Sequence, residues 1–245
     1  MRQSLTLRSR RVRAKTPQRM VGNYLFRDPS IRPSVQVMNS RDNNASSAGD
    51  RLVELDVRSP VWDRFFYPAP LVLIGTLESN GEPDLAPKHM VTPLGWQNYF
   101  GFVCTPRHST CTNIDRDGVF TVSFPRPAQI VHSSLAASPR EAGGDKPILD
   151  VLETMPARHV EGIVIANAYI YFECRHVRTI DGFGENCLIT GEIISAYADE
   201  QCLRSDDRDD QELLSAAPVL AYVTPGRFAA IDVANAFPFP AEMKK

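Results

Sequence analysis

Apolar residues gather in short runs of strand length, and most of the runs are continuous rather than alternating. Residues 71–77 (Leu-Val-Leu-Ile-Gly-Thr-Leu) form the first, and the Asn80-Gly81 pair after it is a strong hairpin signal that returns the chain through Leu85. Residues 96–105 read as an aromatic-rich strand, 109–116 as a short helix, Asp117-Gly118 as a turn and 119–124 as the next strand. Upstream, Val61-Trp62 and Phe65-Phe66-Tyr67 predict an aromatic cluster anchoring the chain entry to the core. Residues 125–137 contain a short helix, 142–147 a loop, and 148–153 a helical turn or two. A long strand is predicted over 163–180, with Ala168, Ile170, Phe172 and Cys174 on one face and Tyr169, Tyr171, Glu173 and Arg175 on the other. After a turn at 181–185, residues 186–198 pair back as a hairpin, with Gly191 marking a bulge or a close approach. The acids of 206–210 open a helix, 218–223 and 227–231 are short closing strands, and the two Phe of the 236–240 tail should dock on an apolar surface. Strands separated by turns and short helices, without βαβ alternation, predict a mainly β fold: an antiparallel barrel with helical insertions.

The first fifty residues break this pattern. Residues 1–27 hold eight Arg and Lys and no acid, and 39–50 are polar with almost no large apolar side chain. We read 1–50 as a basic extension that cannot repay the entropy of ordering, and 51–245 as the folded domain. A transit peptide, a nucleic-acid-binding tail and a true start at Met38 are open readings of the leader. At 245 residues and 43% apolar content the chain can bury a substantial core. A net charge of −2 gives no global push toward nucleic acid or an anionic membrane. No apolar run reaches the roughly 20 residues of a spanning helix. Five cysteines in strand-like surroundings read as reduced thiols, which suits a cytoplasmic protein.

Candidate chemistry concentrates between Asp84 and Phe124. Arg107, His108, Ser109 and Thr110 set cationic and hydroxyl groups where a helix begins, beside free amides and the positive end of its dipole. That is a phosphate cradle. Upstream, Lys88, His89, Met90 and Thr92 lie in a segment that Pro87 and Pro93 keep irregular, suited to a flat heteroaromatic ring with a hydrogen-bonding edge. Together they point to flavin mononucleotide held by phosphate and ring. Each residue also has a plainer reading: Ser109 or Thr110 as helix cap, Lys88 as a solvated charge, His89 as a half-buried ring. Rival chemistries are a zinc site at Cys104, His108 and Cys111, a Cys111–His108 nucleophilic pair, and a calcium loop at 206–210; each lacks a ligand, an orienting group or the spacing it needs.

The order Asn80-Gly81, Leu85-Ala86-Pro87, Cys104-Thr-Pro-Arg107, Ser109-Thr110-x-x-Asn113-Ile114 and Gly118-x-Phe120-x-Val122-Ser123 resembles the flavin-reductase-like, FMN-binding split-barrel family. Asp145-Lys146, 168–174 and Gly184-Glu-Asn-x-Leu-Ile-x-Gly191-Glu192 continue the resemblance over 61–198. It implies a six-stranded antiparallel Greek-key split barrel with short helical insertions, and a homodimer with FMN near the interface. It also implies an oxidoreductase that takes hydride from NADH or NADPH and serves a small-molecule electron acceptor. By the same resemblance Ala86, Pro87, Lys88, His89, Met90, Val91 and Thr92 line the flavin ring and ribityl chain, while Arg107, His108, Ser109, Thr110 and Asn113 hold the phosphate, with Thr105 beside them. Three positions depart from many relatives: His89 replaces a small hydroxyl residue, Ser109 an acid, and Asn186 a His associated in some relatives with the reductive half-reaction. The alternatives are a flavin-binding electron carrier or sensor without nicotinamide activity, and a barrel serving as a dimeric binding module without flavin.

Overall fold

The strand-length runs become strands close to where the sequence puts them. β1 (Tyr67–Pro70), β2 (Val72–Leu77), β3 (Pro83–Lys88), β4 (Val91–Pro93) and β5 (Tyr99–Cys104) lead into helix α1 (Ser109–Asp117) and β6 (Val119–Phe124). Then come α2 (Ile130–Leu135), β7 (Thr154–Pro156), β8 (Ile163–Ile165), the long pair β9 (Ile170–Phe183) and β10 (Asn186–Ala198), α3 (Asp210–Ala216), β11 (Val219–Thr224) and β12 (Arg227–Ile231). The structure is a computed structural model that describes residues 52–141, 144–205 and 207–237. The basic extension, its polar 39–50 run, Asp206, part of the 142–147 loop and the tail beyond Phe237 lie outside the described residues. The elements above belong to the unit Glu54–Lys245.

Seven strands form one sheet in the order β3-β2-β6-β9-β10-β5-β4, every pair antiparallel. Its outermost strands, β3 and β4, are consecutive in the chain and separated only by His89 and Met90. A flat sheet of this width would hold its edges about 29 Å apart. The step from Lys88 to Val91 spans at most about 11 Å. The sheet must therefore curl until its edges meet, which makes it an antiparallel split barrel. With β3 and β4 counted as one strand bent at His89–Met90, six strands remain.

Both faces of the sheet are covered. Val72 and Ile74 of β2 pack with Phe102, Phe120, Val122, Cys174 and Ile189, together with Cys111 and Ile114 of α1. Leu73 faces the other way, with Leu85, Val164, Ile165 and Tyr171. Burial on both faces is why 71–77 reads as an unbroken apolar run. The Asn80-Gly81 hairpin joins β2 to β3, and Gly118, at φ 71°, ends α1 by returning its amide to Ile114. At Gly191 both expected features occur: the β9–β10 register slips there, and a Cβ would stand 2.6 Å from the Phe120 ring. Asp209 caps α3 by accepting the amides of Gln211 and Glu212, so the acidic run serves helix initiation.

Four features go beyond the sequence pattern, and two of them correct it: the single strand over 163–180 and the aromatic cluster anchored to the core. The strand predicted over 163–180 is two strands, because Asn167 adopts φ 60° and β8 turns away to pair with β7. Asn tolerates the left-handed region, so the period-2 pattern runs across the corner unbroken. Glu173 is fully buried, its carboxylate accepting the amides of Arg158 (2.8 Å), His159 (2.6 Å) and Val160 (3.0 Å). The closing strands β11 and β12 join β1 in a separate three-stranded sheet. The aromatic cluster exists, with Trp62 6.3 Å from Phe65 and 5.8 Å from Tyr67, but it lies on the surface, Phe66 being 66% exposed.

Candidate functional site

The barrel's bend brings the two candidate segments side by side. β4 pairs with β5, Val91 opposite Phe102, and the Met90 carbonyl accepts the amide of Val103 at 2.9 Å. β5 then delivers Thr105, Pro106 and Arg107 to the front of α1. Lys88, half-buried at the end of β3, has no ion pair among the described residues. Its charge reaches across to α1: burial lowers the proton affinity of His108, and Lys88 and then Arg107 lower it further. His89 is depressed the same way, first by burial and then by Lys88, and its ring centroid lies 4.2 Å from that of Tyr222 on β11, the planes tilted by 30°. Ala86 and Pro87 are half-buried on β3, Met90 and Thr92 are exposed, and Val91 packs onto the core.

At the helix front, His108 occupies the capping position in extended conformation without a side-chain cap. Its carbonyl accepts the amides of Cys111 (2.9 Å) and Thr112 (3.3 Å), so those of Ser109 and Thr110 have no acceptor among the described residues. No acid stands in the first turn. Two amides without an acceptor at a helix front, beside exposed Arg107, His108 and Ser109, form a site where an anion is stabilised. Thr110 and Asn113, expected with them, are each 2% exposed. Asn113 donates to Thr76 Oγ1 at 3.1 Å and accepts from Arg116 Nη1 at 3.0 Å, so its amide fastens α1 to β2. The reason is helical spacing: both residues share a face with Cys111 and Ile114, which enter the core.

The end of the predicted β9–β10 hairpin forms a wall whose residues 181–185 the sequence did not mark as part of the site. Asp181, Gly182, Gly184, Glu185 and Asn186 face Thr105, Pro106 and Arg107 across a cleft of about 330 Å³. Thr105 Oγ1 donates to Asn186 Oδ1 at 3.2 Å, and Arg107 Nη1 lies 3.5 Å from Glu185 Oε2. The signal was strand pairing: a 186–198 strand beside 99–104 sets Cys187 opposite Cys104, and residue 186 next to 105.

The rival chemistries do not assemble. Burial, the nearby Cys187 thiol at 3.8 Å and other charges push the Cys111 thiol up to about 12, while His108 is exposed. Among the described residues no three His, Cys, Asp or Glu side chains are grouped to hold a metal ion. The donor set fits a phosphate monoester instead: two open amides, a hydroxyl and a guanidinium, with an unpaired ammonium one strand away.

Solved structures with this fold share little sequence with the chain. Flavoredoxin of Desulfovibrio vulgaris (Miyazaki F) superposes with a TM-score of 0.62 at 22% identity, covering 77% of this chain and 99% of its own. The 2-nitrobenzoate 2-nitroreductase of Pseudomonas fluorescens gives 0.61 at 18%, covering 73% and 88%. An FMN-binding protein from Thermus thermophilus, solved with 1-cyclohex-2-enone, gives 0.61 at 17%, covering 76% and 99%. At these identities the likeness shows the fold. No curated protein sequence matches significantly. The flavin reductase like domain, as a sequence family, matches residues 63–224, from the aromatic cluster through β11 and including both candidate segments. With most of its length matched, the chain belongs to the flavin reductase like domain family.

Proposed function

We propose that this chain binds FMN and is an FMN-dependent oxidoreductase, taking hydride from NADH or NADPH and passing electrons to free flavin or another small-molecule acceptor. One observation carries the reading: exposed Arg107, His108 and Ser109 stand at a helix front with two amides that lack an acceptor, and an unpaired, half-buried Lys88 is near enough for its charge to depress His108. Arg107, Ser109 and the Ser109 and Thr110 amides grip the phosphate; Thr105 lies toward the ribityl chain. Lys88 and His89 flank the ring edge, with Ala86, Pro87, Met90 and Thr92 along its length. FMN supplies the two-electron chemistry when bound. The protein supplies grip, orientation and positive charge near the ring. The exposed Trp62, Phe66, Tyr67 and Phe228 support a homodimer, and the free thiols suit a reducing, cytoplasmic setting.

Purified protein loaded with FMN and desalted should keep the flavin absorbance bands, and anaerobic NADH or NADPH should bleach them. Arg107→Ala with Ser109→Ala should weaken FMN binding roughly tenfold or more, since hydrogen bonds to a charged group are lost. Unchanged affinity would remove the phosphate assignment. Asn186 favours a second reading, an electron carrier: it lines the cleft where many relatives carry a His, and its side chain accepts from Thr105. In that case FMN is retained and neither nicotinamide bleaches it.

A further inference from the structure

The hairpin opposite the cationic corner brings an anion of its own. Glu185 Oε2 lies 3.5 Å from Arg107 Nη1, with the two side chains 81% and 69% exposed. The hydrogen bond from Thr105 Oγ1 to the next residue, Asn186, at 3.2 Å holds the hairpin end against the strand that delivers Arg107. The pair therefore bridges a cleft whose walls are fixed by another contact, with Asp181 on the same wall as Glu185. Lys88 and His108 have no such carboxylate among the described residues.

We infer that Glu185 is a built-in competitor for the phosphate and sets how tightly this site holds a phosphorylated ligand; this rests on the assignment of Arg107 to the phosphate. Without ligand, the carboxylate occupies the guanidinium. With ligand, the phosphate takes the guanidinium's donors and Glu185 gives way. A phosphate on Arg107 stands within about one Debye length of Glu185, so repulsion adds to the lost ion pair. The opposite role, in which Glu185 orients Arg107 for the ligand, predicts the opposite sign on removal of its charge. Because the pair is exposed, neutralising it should tighten FMN binding only about two- to tenfold.

The test is equilibrium titration of the deflavinated protein with FMN and with riboflavin, followed by flavin fluorescence, for wild type, Glu185→Gln, Arg107→Ala and the double variant. Riboflavin carries the same ring and ribityl chain without the phosphate. The expected result is tighter FMN binding by Glu185→Gln, unchanged riboflavin binding, and a gain that shrinks by at least half in the Arg107→Ala background. Glu185→Gln that leaves FMN affinity unchanged or weakens it overturns the inference while leaving the FMN reading intact. So does an equal gain for FMN and riboflavin. Wild type that binds no FMN, or Arg107→Ala that binds it as wild type does, overturns the inference and the phosphate assignment together.

Discussion

Lys146→Met tests how β3, the strand that ends at Lys88, is held. Lys146 Nζ donates to Asp84 Oδ1 at 2.6 Å and to the Leu85 carbonyl at 2.7 Å, and both charged side chains are 6% exposed. Removing one partner of a buried pair leaves the other charged and desolvated, at a cost of about 3–5 kcal/mol. Arg140 Nη2, 4.0 Å from the same Asp84 oxygen, offsets part of that loss, so about 3 kcal/mol is expected. Asp84→Asn strands the Lys146 ammonium on the Leu85 carbonyl alone, and a similar cost follows. The double variant removes both charges and leaves one buried carbonyl without its donor, costing about 1–3 kcal/mol. The two substitutions should thus couple by at least about 2 kcal/mol in urea unfolding at 25 °C, read from midpoints at constant slope. Screening scarcely reaches a buried pair, so the coupling should survive 1 M salt, where an exposed pair's would vanish. Additive effects, or a Lys146→Met cost below about 1 kcal/mol, would refute the account of a desolvated pair.

Three further outcomes follow from the geometry. Gly191→Ala drives a Cβ into the Phe120 ring at 2.6 Å with the Arg175 carbonyl at 3.2 Å behind it, and should cost about 1–3 kcal/mol in unfolding free energy; a neutral result would mean that β10 can shift there. Burial holds the Cys111 thiol up at about 12 and raises that of Cys187, so a thiol reagent at pH 8 should label Cys202 first and reach the buried four only with denaturant; prompt native labelling of Cys111 would contradict the packing of α1. His108 sits below its ordinary value of 6.5 through burial and the charges of Lys88 and Arg107, and a bound phosphate would raise it again. FMN binding should then take up protons and strengthen as pH falls from 8 toward 6.5, until the phosphate's own protonation near pH 6 opposes it; His108→Gln should flatten the slope, and an equal slope in that variant would sink the assignment.

What could be read from the chain follows from the range over which each signal acts. β6 and β10 lie where the apolar runs end because turn chemistry, Asp117-Gly118 before one and 184–185 before the other, cuts them locally. The contacts that shape the site are not local. Thr105 meets Asn186, Asp84 meets Lys146 and Asn113 meets Thr76 across sequence separations of 81, 62 and 37. No single-sequence periodicity registers such partners, which is why the hairpin and Asn186 were legible but their contact with Thr105 and Arg107 was not. The inward turn of Thr110 and Asn113 was legible, since helical spacing from Cys111 and Ile114 already assigns them to the core face. Hydroxyl and amide chemistry suggested a ligand there; both side chains lie on the buried face of α1.

That outcome divides α1 into two working surfaces. Its first turn carries exposed Ser109 and the two amides without an acceptor, while the side chains of Thr110, Cys111, Asn113 and Ile114 tie the helix to the barrel. Asn113 is the fastening: it bridges Thr76 on β2 and Arg116, which also donates to the Leu77 carbonyl. A substitution there should therefore weaken a phosphate ligand without touching it, by moving the front of the helix away from Arg107 and Lys88. Asn113→Ala should lose FMN and riboflavin affinity together, together with unfolding stability, since a shifted helix misplaces the whole site. Arg107→Ala should lose FMN selectively, because only the phosphate is left without its donor. The ratio of FMN to riboflavin affinity thus separates a residue that holds the ligand from one that holds the helix. If Asn113→Ala changed that ratio as much as Arg107→Ala does, Asn113 would be reaching the phosphate itself, and the buried face of α1 would have been misread.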